Sequence, residues 1–490
     1  MNDLLFYRPE GHWLGDVIPF YEDGKYYLFF LKDPRDSEIR VDHTTWDLLI
    51  TQDFVHYDHK GVAIPIGSED EPDNCIYTGS VFKEAPGKYH LFYTSHNNHN
   101  PAFMVDGAPF QTVMHAVSDN LIDWKKLPEY SFRSDGKNYE VWDWRDPFVF
   151  YNDEEKRYNM LLAARKNPSS FKRGGLVLRC WSDDLYNWQI GKPMYEPDMY
   201  LTHECPDLFK MGDWWYLAYS TFTDKFLTHY RMSRSMTGPW AALDIDTWDA
   251  RGWYAAKTAG DGKKRYGFGW VPTKEGCSDY GSYEWGGNLV VHELVQQPDG
   301  TLLTKMPDSV YAAYGEPEKP AVNCFNGTGN TENGKIVVDG SQRMSYAVFD
   351  GLPEKCMIEC DIDFERPVRC FGIDLNASEN LDDGYFFKVE PFYNRLILDM
   401  WPRKKIGGMQ HDFGGDIPYQ IELERPFDMS GLNHVKLSLL IENDIAVMYI
   451  NDTVSLCTRL YELLGNRRWG LFAHDGKISV SNLTVKKFLG

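Results

Sequence analysis

Apolar and polar positions alternate along this chain with a period of two far more often than they follow helical spacing. Short aromatic strands recur after tight turns: Gly24-Lys25-Tyr26-Tyr27-Leu28, Gly87-Lys88-Tyr89-His90-Leu91, Lys156-Arg157-Tyr158-Asn159-Met160, Gly212-Asp213-Trp214-Trp215-Tyr216 and Gly262-Lys263-Lys264-Arg265-Tyr266. A second element follows most of them: Thr51 to Tyr57, Ser118 to Trp124 and Ser182 to Trp188, with Ser233 to Trp240 as a looser copy. Here Ser or Thr and Asp close a turn, and an aromatic packs beneath it. The unit returns about every 50 to 70 residues, roughly five times before residue 300, which predicts a β-propeller with about four strands per blade. An irregular sandwich would give short strands without repeating one turn.

The texture changes near Met306. Pro307 to Tyr314 predicts a short helical link, and Gly315-Glu316-Pro317-Glu318-Lys319-Pro320 reads as a connector. Alternating strands follow at Cys356 to Ile362, Tyr385 to Val389, Val435 to Ile441 and Ile445 to Ile450, the last two flanking the hairpin turn Glu442-Asn443-Asp444. These predict a β-sandwich. The expected division is therefore a propeller over 1–305, a linker over 306–322 and a sandwich over 323–490.

Composition narrows the partners. Across 490 residues, 72 acidic against 51 basic side chains leave a net charge of −21. So acidic a surface repels nucleic acid and anionic membrane and suits a neutral small molecule or sugar. Sixteen Trp, 30 Tyr and 28 Phe suit sugar C–H faces, although aromatics also fill β cores. Nine scattered cysteines without a CxxC pair read as reduced thiols of a cytoplasmic protein. Neither a signal-like N-terminus nor a membrane-spanning apolar run is visible.

Three acids sit among apolar and aromatic residues at strand edges: Asp16 in Trp13-Leu14-Gly15-Asp16-Val17, Asp146 in Trp144-Arg145-Asp146-Pro147, and Glu204 in His203-Glu204-Cys205-Pro206-Asp207. Coming from three of the repeats, they are expected to converge on the propeller axis. Two carboxylates facing a sugar are the minimum for glycoside hydrolysis, and a third can hold hydroxyls. Arg145 reads either as the group that keeps Asp146 ionised or as its structural partner. Metal binding is the rival use of clustered acids, but regularly spaced His partners are missing, so no metal and no cofactor is expected.

The ordered motifs resemble glycoside hydrolase family 32, the invertase, inulinase and levanase family. Trp13-Leu14-Gly15-Asp16 is similar to its Trp-Met-Asn-Asp opening, Tyr77-Thr78-Gly79-Ser80 to Phe-Ser-Gly-Ser, Arg145-Asp146-Pro147 to Arg-Asp-Pro, and Glu204-Cys205-Pro206-Asp207-Leu208 to Glu-Cys-Pro-Asp-Leu. The resemblance implies a five-bladed propeller followed by a sandwich. It implies Asp16 as nucleophile, Glu204 as acid/base and Asp146 as transition-state stabiliser. It also places Trp13, Trp46, Thr78, Arg145, Asp249 and Tyr254 at the sugar, with Gly269-Trp270-Val271 behind them.

Three positions depart from the family pattern: Gly15 replaces an Asn, Val17 a Pro and Leu31 a Gln. The implied activity is retaining release of fructose from sucrose or short fructo-oligosaccharides. A sugar-binding propeller without catalysis, a fructosyltransferase and a five-bladed arabinosidase or xylosidase are the alternatives. Oligomeric state and linkage preference stay open.

Overall fold

A computed structural model describes residues 2–36, 42–401, 423–461 and 468–490. The protein is all-β, a five-bladed propeller followed by a β-sandwich. It divides into two compact units, one comprising 1–247, 253–272 and 285–302, the other 248–252, 273–284 and 303–490. Among the described residues no helix is long and apolar enough to cross a membrane.

In the first unit each blade is an antiparallel sheet in chain order. Blade 1 holds Trp13–Glu22, Lys25–Asp33, Thr45–Thr51 and His56–Ile64. Blade 2 holds Cys75–Ala85, Lys88–His96, Thr112–Ser118 and the short Lys125–Lys126. Blade 3 holds Tyr139–Asn152, Arg157–Lys166, Gly175–Ser182 and Gln189–Tyr195. Blade 4 holds Glu204–Met211, Trp214–Thr221 and Leu227–Ser233, and blade 5 begins with Tyr254–Gly260 and Arg265–Lys274. The first strand of each blade packs against the first strand of the next, and the fifth against the first, so the blades form a ring. The ends of the ring are also tied by backbone: Leu14 pairs with Gly287, and Leu289 N donates to Tyr7 O at 2.9 Å.

The repeated turn has one construction in three blades. Thr51, Ser118 and Ser182 accept through their hydroxyls from the N–H groups of Phe54, Leu121 and Leu185. Two residues after each hydroxyl, Asp53, Asn120 and Asp184 take the next pair of N–H groups. Tyr57, Trp124 and Trp188 then donate back to the carbonyls of Phe54, Leu121 and Leu185. Each turn thus satisfies its own backbone, and its aromatic is held down over the blade. Between blades, apolar faces interlock: Phe29, Leu31 and Trp46 meet Ile76, Leu91 and Tyr93, and further round Phe92 and Val113 meet Trp144 and Leu162. Full burial of one such side chain is worth about 1.5–3 kcal/mol.

All five first strands carry one extra residue at corresponding places. The ladder slips between Leu14 and Val17, Tyr77 and Gly79, Arg145 and Phe148, Glu204 and Asp207, and Tyr254 and Lys257. Such bulges bend a strand and re-aim its side chains. Asp146, Cys205 and Ala255 adopt positive φ there, at 58°, 50° and 53°. That conformation is costly for non-glycine residues and concentrates at functional sites.

The second unit is a sandwich of two seven-stranded sheets. One contains Cys370–Leu375 and Gly384–Glu390, the other Lys355–Phe364 and His434–Glu442, and Ile358, Ile373, Phe387, Leu439 and Leu471 fill the space between. The segment 306–322, expected as a linker, belongs to this unit. It makes the short helix Asp308–Ala312 and then runs along the last strand, Gly315 N donating to Lys487 O and Glu318 N to Val485 O, both at 2.9 Å.

Candidate active site

The bulges bring Asp16, Thr78, Arg145, Asp146, Glu204 and Tyr254 into one cluster. Asp16 is held by neutral donors. Thr78 Oγ1 donates to its Oδ2 at 2.5 Å, Trp270 Nε1 to its Oδ1 at 3.0 Å, and Cys205 Sγ lies 3.7 Å from Oδ2. Glu204 is held by a cation and a phenol, with Arg145 Nη2 at 3.1 Å from Oε1 and Tyr254 OH at 2.7 Å from Oε2. Asp146 accepts from Cys205 N at 2.8 Å, so the bulge after Glu204 holds the carboxylate of the neighbouring blade.

A buried frame fixes these groups. Arg145 also donates to Thr202 Oγ1 at 3.0 Å and pairs with Asp143, which Arg165 grips in turn at 3.2 Å. Thr94 Oγ1 donates to Thr78 O at 2.9 Å and accepts from Asp146 N at 2.7 Å, locking blades 2 and 3 together beneath the acids. Phe226 stacks on Tyr254 with ring centroids 3.6 Å apart and planes 12° from parallel. A phenol so clamped presents its hydroxyl to Glu204 in one orientation.

Both carboxyl groups titrate high. Burial raises Asp16 to about 6, opposed by the Thr78 hydrogen bond and reinforced by the charge of Asp146, while Trp270 and Cys205 pull it down. Burial likewise raises Glu204 to about 7, with Arg145 opposing, Asp146 and Asp16 adding to the rise, and Tyr254 lowering it. Two acids whose surroundings set them apart are suited to opposite roles, one ionised and one protonated.

The raised values also cost stability. For Asp16 the folded form holds its proton up to about pH 6, whereas the unfolded form loses it near 3.8. The fold therefore loses stability as pH rises through that window, and the penalty is complete above it. Asp16→Asn is expected to stabilise the fold by up to about 3 kcal/mol at about pH 8, with the gain vanishing near pH 4. Urea unfolding of both proteins at the two pH values measures this.

Two expected sugar contacts are placed elsewhere. Trp46 is fully buried in the core of blades 1 and 2, and its Nε1 donates to Tyr77 O at 2.9 Å. It therefore orders the strand carrying Thr78 and has no free face for a ligand. Asp249 lies in the second unit, where Ser455 Oγ donates to it at 2.6 Å and Cys457 N at 2.9 Å. That carboxylate ties down strand Val454–Arg459 of the sandwich. Trp13, by contrast, is half-buried in the first unit with the Arg35 guanidinium 4.2 Å from its ring centroid.

Several participants went unassigned in the sequence. Trp270 and Cys205 lie inside quoted motifs, yet no spacing said that they would reach Asp16. Thr94, Thr202 and Phe226 carry no motif at all, because they meet Asp146, Arg145 and Tyr254 only through the packing of separate chain segments.

Comparison with known proteins bears on this geometry. The chain is 22% identical to the levanbiose-producing levanase of Bacillus subtilis (strain 168), over 96% of this chain and 87% of that protein. The exo-inulinase of Aspergillus awamori superposes with a TM-score of 0.73 at 15% identity, covering 99% of this chain and 97% of that one. Sucrose-6-phosphate hydrolase from Lactobacillus gasseri gives 0.72 at 17% identity, covering 97% and 90%. The family model for the glycosyl hydrolases family 32 N-terminal domain matches residues 6–307, well over half of the chain. A ring of five bulged blades with these acids at its bulges is thus met where the family model itself lies, and the chain belongs to glycosyl hydrolase family 32.

Proposed function

We propose that this chain releases fructose from β-fructofuranosides such as sucrose and short fructo-oligosaccharides, with retention of configuration. Asp16 attacks the anomeric carbon while protonated Glu204 gives its proton to the leaving oxygen, so the glycosidic bond breaks as the glycosyl–Asp16 ester forms. Glu204, now ionised, takes a proton from water, which attacks the same carbon and frees fructose and Asp16. Asp146 holds ring hydroxyls through the oxocarbenium-like transition state, and Arg145 steadies Glu204 in its ionised half of the cycle.

The observation that carries this reading is the different company of the two acids. Among the described residues the donors to Asp16 are neutral, so its electrons stay available, whereas Glu204 sits between a cation and a phenol that suit both of its protonation states. The fructose-containing saccharides of solved family relatives agree with it, among them a silkworm β-fructofuranosidase mutant in complex with sucrose. Incubation with sucrose, kestose and inulin, with free fructose and longer oligomers both measured, tests it. Absence of fructose release from all of them overturns it, and oligomer growth would mean transfer in place of hydrolysis.

The pH dependence follows from the same pair. Activity requires ionised Asp16 and protonated Glu204, so kcat/KM is expected to fall below about pH 6 and above about pH 7. A profile that stays flat from about pH 5 to about pH 8 would contradict these roles. The nine free cysteines suit a reducing compartment, and we assign the chain to the cytoplasm, which cell fractionation tests.

A further inference from the structure

Gly15 adjoins Asp16 and leaves a specific vacancy. A Cβ built on it would lie 1.9 Å from Trp285 Cη2 and 2.3 Å from Cζ2, so the indole occupies the place of any side chain at position 15. The same ring packs against the cluster that contains Leu31 and Ile18, and lies edge-to-face with Trp270 at 6.0 Å between centroids. Trp270 is itself the donor to Asp16. Arg35 Nη2 donates to the carbonyl of Trp285 at 2.7 Å while its guanidinium covers Trp13, which fixes the backbone from which the indole extends. Trp285 is half-buried, so part of its surface stays open.

These contacts have a chemical consequence. On the blade 1 side of Asp16, positions 15 and 31 offer no hydrogen-bonding side chain: an indole takes the place at 15, and a buried leucine stands at 31. The polar groups that remain, Thr78, Arg145, Asp146, Glu204 and Tyr254, come from the other blades. We propose that Trp285, seated over Gly15, is a specificity-determining residue that binds the sugar ring through a carbon–hydrogen face, where hydrogen bonds to its hydroxyls would otherwise be made. The proposal rests on the fructosidase reading for the identity of the sugar, but not on turnover. It predicts that Trp285 governs binding of the glycon far more than the chemical step.

The test uses the full chain and fructose itself as the probe, with calorimetric titration of the wild type, Trp285→Ala, Gly15→Ala and the double variant. Trp285→Ala is expected to weaken fructose binding about five- to tenfold, the size of one aromatic contact. In turnover of sucrose it raises KM by a similar factor and changes kcat less than about threefold. Gly15→Ala must displace the ring, so it is expected to reproduce the loss, and the double variant to be no worse than either single one. Thermal melting of each variant separates this from unfolding, because a merely structural role moves the melting temperature without splitting KM from kcat. Unchanged fructose binding in a folded Trp285→Ala, or additive losses in the double variant, would overturn the proposal, as would a wild type that binds no fructose. A wild type that binds fructose through Trp285 but cleaves no fructoside would leave the proposal standing and remove the hydrolase reading alone.

Discussion

Asp16→Asn is expected to lower kcat for fructose release by about ten-thousand-fold, with KM little changed. In the amide the oxygen can still accept from Trp270 while the NH2 donates to the Thr78 hydroxyl, which turns from donor to acceptor, so the pocket keeps its shape while the nucleophile is lost. The covalent intermediate should vanish with it, and mass spectrometry of protein quenched during turnover of a slow fructoside reads that directly. Because the same variant is expected to be the more stable protein above neutral pH, its inactivity cannot be ascribed to misfolding. A variant that retains more than about a tenth of the activity would remove Asp16 from the covalent role.

Glu204→Gln is expected to lower kcat by about a hundred- to ten-thousand-fold on sucrose. It should also abolish the alkaline limb of the pH profile, since the group that ionises near 7 is gone. A fructoside with a good leaving group separates the two halves of the cycle. Its departure needs little protonation, so the first step recovers while deglycosylation stays slow, and a burst of leaving group precedes a slow steady state. Equal impairment on both substrates without a burst would count against an acid/base role. Arg145 adds a complication that the amide respects: Gln still accepts from the guanidinium, whereas Glu204→Ala would leave that buried cation short of a partner.

How much of this was legible in the sequence depends on the range of the interaction. The blades were readable because local devices recur: a period-two strand in all five and, in three of them, a turn that binds its own backbone. The acids were readable because each sits in a short motif at a strand edge. For Trp46 the resemblance gives a place in the chain but neither which way its indole turns nor which carbonyl receives its N–H. Asp249 lies five residues before Tyr254, yet the chain changes unit between them, so nearness in sequence says nothing about nearness in space. Trp270 and Phe226 were invisible as partners because the contact of Trp270 with Asp16 arises only when blade 5 meets blade 1, and that of Phe226 with Tyr254 only when the chain beyond blade 4's second strand meets blade 5. The departure at Gly15 was visible as an absence, but only the position of Trp285 says what fills it.

The extra residue in each first strand has a bearing on how such a protein changes over time. Removing it would leave the hydrogen-bonded ladder continuous, so the sheet itself has no need of it. The residues around it are also exempt from the strict inside-outside alternation that the remainder of the strand must obey. Away from Gly15 and Gly79, where a Cβ would run into Trp285 or the Phe92 carbonyl, substitutions there alter what the ring presents at its centre while the ladders on either side stay paired. A scaffold of this kind separates inheritance of shape from inheritance of chemistry. Five short inserts can vary while some three hundred residues of blade keep the ring intact.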